Sequence, residues 1–330
     1  MVYEVAVVGC GSWGRNHIRV LQEMDNVKLT VVVEPEKSRF DSLRLKDVSY
    51  VRDHHDLLRH IHLDVVVVAS PTSTHYEIVR DCLRAGKDVF VEKPLTLDIV
   101  EAKKLVEFAK GRSNILMVGH IFRYSPAVRV AKEVMMGKDF GKVQFIYGLR
   151  LGLRTPRADC GVIDDFASHD IDIFSYLLNQ PLPSEVTAVG GNYLNDFDDV
   201  GFISLKYPNG VLANIQVSWL TPKKIRETWV IGSGQSLRVD GVSDEVEVYS
   251  GGVIPTYNSF GEYKMIVSEG DSYKPHIQKR EPLKEELKHF LYCVERRETP
   301  LTDGVVGLNV VKVLHACRQS MKFKRTVTVK

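Results

Sequence analysis

Lys93 follows a short β-branched run, residues 89–91, and directly precedes Pro94. Proline confines the residue before it to extended backbone. In a doubly wound sheet the carboxyl ends of the strands face the ligand crevice. A lysine there can hydrogen-bond a hydroxyl and stabilise an alkoxide as it develops, although position alone describes a surface lysine equally well. Asp165 and His169 are four residues apart in a segment whose apolar positions suit a helix. That spacing puts both on one face. Histidine titrates near neutrality and is suited to take a hydroxyl proton, with Asp165 orienting the ring or bonding a hydroxyl. A capping aspartate beside a satisfied core histidine is the plainer reading of the spacing by itself. Asp164 competes for the role given to Asp165, and Asp172 lies one turn further on.

Arg123, Arg154 and Arg157 are the candidates for binding an anion, because guanidinium geometry suits a diphosphate. Ordinary surface arginines fit the same positions. His54, His55, His60 and His62 resemble a metal set, but they flank a helical turn between two strands and no cysteine joins them. No metal is expected there.

Proton removal from a carbinol oxidises nothing unless a hydride also leaves, and a candidate carrier site stands at the N-terminus. The loop Gly9-Cys10-Gly11-Ser12-Trp13-Gly14 follows a strand and opens a helix. Gly9 allows the tight turn, Gly11 lets backbone approach a pyrophosphate, and Gly14 lets helix and strand pack closely. Helix-start amides hold phosphates. Glu34 ends the next strand, 20 residues past Gly14, where an acid meets the adenosine ribose hydroxyls. A carboxylate there repels a 2′-phosphate and favours NAD over NADP. Ser38 and Arg39, just beyond, suit either such a phosphate or a solvated helix start.

The elements that must position these residues fall into two textures. Runs 2–8, 27–33, 64–69, 89–91 and 115–118 are strand-like, with helical segments between them, which predicts a parallel doubly wound sheet. After residue 120, period-two strands flank Pro208-Asn209-Gly210, a hairpin turn. An α+β domain with a large, mostly antiparallel open sheet is expected. The stretch 251–273 has no assignment, and 282–295 and 304–322 read as closing helices. The expected domains are 1–120 and 121–330, the last helix being free to pack back on the first.

Bulk numbers narrow the classes. The 330 residues suit two domains of ~150 residues each. A net charge of +2 gives no argument for nucleic acid or a membrane surface. Cys10, Cys82, Cys160, Cys293 and Cys317 are scattered and odd in number, which fits a reducing compartment. No apolar run nears the ~18 residues of a membrane span, and no leader precedes the first strand, so a cytoplasmic protein is expected.

The residues resemble the glucose–fructose oxidoreductase and inositol dehydrogenase family (Gfo/Idh/MocA). The stretches that carry it are GCGSWGRNH (9–17), SPTSTH (70–75), VEKPL (91–95), GHIFRYSPAV (119–128) and DDFASHDID (164–172). Residues 152–172 with GHIFRYSPAV resemble the branch that oxidises the 3-hydroxyl of UDP-N-acetylglucosamine or related nucleotide sugars. Cys160-Gly161-Val162 departs from a Gly-Gly-Gly run found in many members. The resemblance implies a Rossmann domain followed by the open-sheet domain. It implies site roles for Lys93 and His169, and a dinucleotide crevice lined by Pro71, Thr72, His75 and Glu92. Tyr124 would pack against cofactor or sugar. The expected activity is an NAD-dependent dehydrogenase in which His169 takes the proton, Lys93 polarises the same oxygen, and Asp165 orients His169 or the substrate. The alternative makes Lys93 the base. Other functions compatible with the chain are inositol or free-sugar dehydrogenase, or a non-catalytic NAD(P)-binding sensor. An open sheet face is usually buried by symmetry, so a homodimer or homotetramer is expected.

Overall fold

The valine-rich runs pair as a parallel sheet. β1 (Tyr3–Val8), β2 (Val27–Val33), β3 (Ser49–Val51), β4 (Val65–Val68), β5 (Asp88–Glu92) and β6 (Leu116–Gly119) lie in the order β3-β2-β1-β4-β5-β6. β4 is four fully buried valines, as a strand covered on both faces requires. The intervening helices are α1 (Ser12–Gln22), α2 (Lys37–Asp41), α3 (His54–Leu57), α4 (His75–Arg84) and α5 (Ile99–Arg112). Val5 and Val7 pack with Ile18 and Leu21 of α1. The alternate residues Ala6 and Val8 pack with Leu57, Val79, Leu83 and Leu105 on the other face.

This computed structural model describes residues 2–329 apart from 59–61, 195, 258–262 and 269. It comprises two units: Met1–Tyr124 with Glu281–His315, and Ser125–Arg280 with Ala316–Lys330. A single boundary near residue 120 is therefore too simple. α8 (Pro282–Arg296) returns to the first unit because Leu283, Leu287, Phe290, Leu291 and Val294 cover the apolar face that β1 and α1 leave open. Just beyond α8, Arg297 donates from Nη1 to both oxygens of the Asp88 carboxylate, at 2.9 and 2.7 Å.

The second unit opens with α6 (Pro126–Met136), capped by the Ser125 side chain. β7 (Val143–Leu151) leads through a loop to a π-helical segment, Ile163–Ala167, that runs into α7 (Ser168–Leu178). The remaining strands are β8 (Glu185–Gly191), β9 (Val200–Lys206), β10 (Leu212–Ser218), β11 (Ile225–Gly232), β12 (Ser236–Asp240), β13 (Glu245–Tyr249), β14 (Gly252–Tyr257), β15 (Tyr263–Ser268) and β16 (Ser272–Tyr273). α9 (Gly304–Phe323) and β17 (Val327–Thr328) close the chain. The large sheet runs β16-β13-β12-β11-β7-β10-β9-β8-β17, with β7 and β10 its parallel pair and the rest antiparallel. The Pro208-Asn209-Gly210 turn joins β9 to β10, with Gly210 at φ +86°. The stretch that the sequence left unassigned contains the β14–β15 hairpin and β16.

α7 is fastened at three places. Arg150 of β7 forks onto Asp170, at 2.7 and 3.1 Å, and both are almost fully buried. Removing one partner of such a pair costs about 3–5 kcal/mol, so α7 is firmly placed against β7. Gly148 sits below it, where a Cβ would lie 3.2 Å from both Asp170 and Phe174. At the far end, the Lys132 ammonium donates to the carbonyls of Tyr176 and Leu177 and to Asn179, satisfying the helix terminus. No described helix is long and apolar enough to cross a membrane.

Candidate active site

The first unit gathers its candidate residues along one edge. Register aligns Val8 with Val33 and with Val68, and Val68 with Val91. The next residues along, Gly9, Glu34, Ala69 and Glu92, therefore share the carboxyl edge of the sheet, at the switch point between β1 and β4 where such folds bind ligands. Gly9 has φ +92°, and a Cβ there would lie 2.8 Å from the Ala69 carbonyl oxygen. At Gly14 a Cβ would lie 2.0 Å from the Gly9 carbonyl oxygen, so neither glycine is replaceable without moving backbone. Gly11 differs: a Cβ there meets nothing within 4 Å. It starts α1 with no side-chain cap, so the helix-start amides are open to a phosphate. Ser12 and Trp13 are exposed beside it.

Glu34 is buried with its carboxylate turned onto this loop. Oε2 accepts from the Cys10 amide at 3.0 Å, and Oε1 accepts from the Glu36 amide at 3.2 Å. The Cys10 thiol also donates to Oε2, and burial together with that bond pushes the thiol up to about 12. These features fit a dinucleotide: room at Gly11, an open helix start and a fixed acid. Relieving the like-charge repulsion at Glu34, worth several kcal/mol when desolvated, is expected to raise the NADP-to-NAD ratio of kcat/KM about a hundredfold in Glu34→Ser. Steady-state kinetics with both cofactors check this, and an unchanged ratio would place the discriminating acid elsewhere.

Lys93 follows β5 and is buried, with its amide donating to Glu92 Oε2 at 3.3 Å. Glu92 Oε1 in turn lies 2.7 Å from Nε2 of His17, a fully buried residue of α1. His17 was not singled out from sequence. Its one legible signal was membership in the 9–17 stretch, because the 75-residue separation from Glu92 hides the pair. Pro71 opens the short 3-10 turn Thr72–Thr74, with Thr72 buried. His75 has one ring nitrogen 3.0 Å from the Pro94 carbonyl and the other 3.0 Å from the Ser70 carbonyl. Burial holds the ring below histidine's ordinary pKa, although both carbonyls favour its charge. His75 packs between the Lys93-Pro94 turn and the loop after β4, its neutral ring donating to one of the two carbonyls. Its ring is committed to backbone rather than presented to a ligand.

Arg123 and Tyr124 have a different setting from the one expected of them. Arg123 is buried and donates to the Leu301 carbonyl at 3.2 Å. Tyr124 is 1% exposed, with its hydroxyl 3.4 Å from Thr302 and its ring beside His289. Both tie the end of the Rossmann segment to the returning 281–315 chain, within the first unit. Asp53, His54 and His55 offer ligand atoms within 4.8 Å of one another. The Asp53 carboxylate caps α3 through the His55 amide, so the grouping is explained by turn chemistry. His60 lies outside the described residues.

In the second unit, residues 161–168 and Asp170 are buried, and His169 is the partly exposed one among them. The expected α-helical turn around Asp165 is π-helical instead, a bulge often found at functional sites. Asp165 Oδ2 accepts from Arg154 Nη1 at 3.2 Å, and Oδ1 lies 3.6 Å from Arg157 Nη1. Arg157 also forks onto Asp159, with both bonds at 2.8 Å. Asp164 is paired with Arg318 of α9, and burial pushes its carboxyl up to about 6 against the pull of that arginine. Asp172 is buried. Arg226 of β11, which sequence reasoning missed, lies 4.5 Å from the Phe166 ring centroid, with Arg154 5.8 Å from the same ring.

The family model described as oxidoreductase family, NAD-binding Rossmann fold, matches residues 3–120, and the GFO/IDH/MocA C-terminal domain model matches 128–238. The scyllo-inositol 2-dehydrogenase (NAD(+)) of Bacillus subtilis (strain 168) is 27% identical over 329 residues, covering 92% of this chain and 91% of that one. The UDP-N-acetylglucosamine 3-dehydrogenase of Acidithiobacillus ferrooxidans is 28% identical over 252 residues, 76% of each chain. A solved structure of that name and organism has a TM-score of 0.83 at 25% identity, covering 98% of this chain and all of the other. A levoglucosan dehydrogenase in complex with NADH and levoglucosan, at TM-score 0.85 and 19% identity over the full length of both, shares the fold.

Proposed function

The chain belongs to the Gfo/Idh/MocA oxidoreductase family and is an NAD-dependent dehydrogenase of the sugar and inositol type, and we propose that its substrate is a UDP-N-acetylhexosamine-type nucleotide sugar, oxidised at the 3-hydroxyl. The observation that carries this reading is the arginine group around Asp165. A neutral polyol needs no such charge, whereas a diphosphate suits it.

Bound NAD would supply the hydride acceptor for the carbinol carbon. Gly9, Gly11 and Gly14 with the start of α1 would hold its pyrophosphate, and Glu34 its adenosine ribose. Ser12, Trp13, Pro71, Thr72 and Glu92 would line the crevice, with His75 holding the turn that carries Lys93. His169 takes the hydroxyl proton through its imidazole. Lys93 donates to the same oxygen and stabilises the negative charge it develops. Asp165 anchors Arg154 and Arg157 at the substrate side. The match to the inositol enzyme, which covers more of the chain, favours a second reading in which the carbinol belongs to an inositol. Initial rates with NAD and a panel of UDP-N-acetylglucosamine, free N-acetylglucosamine and inositols test the choice. The nucleotide sugar should have the highest kcat/KM, and a preference for an inositol would overturn the proposal.

The open face of the large sheet supports assembly into a homo-oligomer. Phe145, Tyr147, Trp229 and Tyr249 stack in a row across it, with centroids 5.3, 6.0 and 5.7 Å apart. Phe202 is 47% and Leu212 55% exposed on the same face. A Trp229→Glu, Leu212→Glu double variant should run as a monomer in light scattering where the parent is a dimer or tetramer. An unchanged mass would put the interface elsewhere.

A further inference from the structure

Arg226 and Arg150 stand directly opposite each other on β11 and β7. Both point to the face of the sheet that α7 covers, and like charges in such a pair repel. Arg150 is compensated by its fork onto Asp170. Arg226 is not: its Nη1 donates to the Leu151 and Ile225 carbonyls, at 2.7 and 2.8 Å, and no described carboxylate forms an ion pair with it. Its guanidinium lies over Gly152 and against Phe166, on the same ring as Arg154. Arg154 and Arg157 both meet the Asp165 carboxylate, and Arg157 also forks onto Asp159. The guanidinium groups of Arg226 and Arg154 therefore meet on Phe166, a residue of the π-helical segment that leads to His169.

We infer that Arg226 is a specificity-determining residue that completes a subsite for an anionic group of the substrate, a phosphate or diphosphate ester. The inference rests on the nucleotide-sugar reading and narrows it to one residue. A partly exposed, uncompensated guanidinium gains most from a charged acceptor, and its neighbours Arg154 and Arg157 supply the further donors a diphosphate needs. Burial, with Arg150 and Arg154 adding and Asp170 and Asp165 opposing, lowers the Arg226 pKa to about 10.

The test compares the parent protein with Arg226→Met and Arg226→Lys. Calorimetric titration with UDP, with inorganic pyrophosphate and with N-acetylglucosamine 1-phosphate reads the subsite directly and separates a diphosphate from a monophosphate requirement. Arg226→Met should weaken UDP binding and raise KM for UDP-N-acetylglucosamine at least tenfold, about 1.4 kcal/mol, while kcat stays within about twofold. Arg226→Lys should recover part of the loss, because charge returns without the fork. Arg226→Met also loses two donations to backbone carbonyls, so binding is compared in variants that thermal unfolding shows to be folded. Unchanged UDP affinity in a folded Arg226→Met variant overturns the inference while the nucleotide-sugar reading stands. If the parent turns over an inositol and binds none of the three anions, both fail. If it binds N-acetylglucosamine 1-phosphate through Arg226 but does not oxidise the UDP-sugar, the subsite stands and the nucleotide-sugar reading fails.

Discussion

His169→Ala is expected to lower kcat/KM by about 10²–10⁴-fold, the usual contribution of a positioned general base. The sign of its pH dependence is the sharper check. A base works in its neutral form, so the parent's kcat/KM should rise with pH through the histidine range and then level off. His169→Ala should lose that limb and keep only a slow background rate. The residue sits at the start of a helix fastened by the Arg150–Asp170 fork and by Lys132, so loss of the imidazole should leave the fold intact. Near-parent thermal midpoints would show that the lost rate is chemical. A variant that keeps the full rate and pH profile would remove His169 from the chemistry.

Lys93→Ala is expected to cost roughly 10²–10³-fold in kcat, the effect of deleting one donor to a developing oxyanion. The loss should fall on kcat more than on KM, because the bond strengthens as charge develops on the oxygen. The acidic limb assigned to His169 should survive in Lys93→Ala. If instead Lys93→Ala erases that limb and His169→Ala preserves it, the roles are exchanged and lysine is the base. NAD affinity, read by fluorescence titration, should change little in either variant, since Gly9, Gly11 and Glu34 form the loop independently of both.

The Rossmann half was legible because its signals are local. Gly9 and Gly14 answer to the loop after the adjacent strand and to backbone within a few residues, and the valine run Val65–Val68 is a buried strand. Glu34 was placed by counting residues from Gly14. What sequence could not show depends on contacts far apart in the chain. α8 returns to β1 and α1 across more than 250 residues. His17 meets Glu92 across 75. Arg226 is an ordinary strand residue until β11 is set beside β7, when register brings it opposite Arg150. The spacing of Asp165 and His169 assumed α-helical geometry, and the π-helical segment adds a residue to that turn. Arg123 was a candidate for its guanidinium and Tyr124 for packing against cofactor or sugar, yet the returning 281–315 segment engages both.

The most direct test of the account follows one hydrogen. UDP-N-acetylglucosamine carrying deuterium on C3 is incubated with the protein and NAD, and the nicotinamide, including any that stays bound, is extracted for mass spectrometry. The account predicts deuterium in the reduced nicotinamide and a slower rate than with the unlabelled sugar when chemistry limits. Reduced nicotinamide without the label, or none formed from this sugar while an inositol is oxidised, would contradict it.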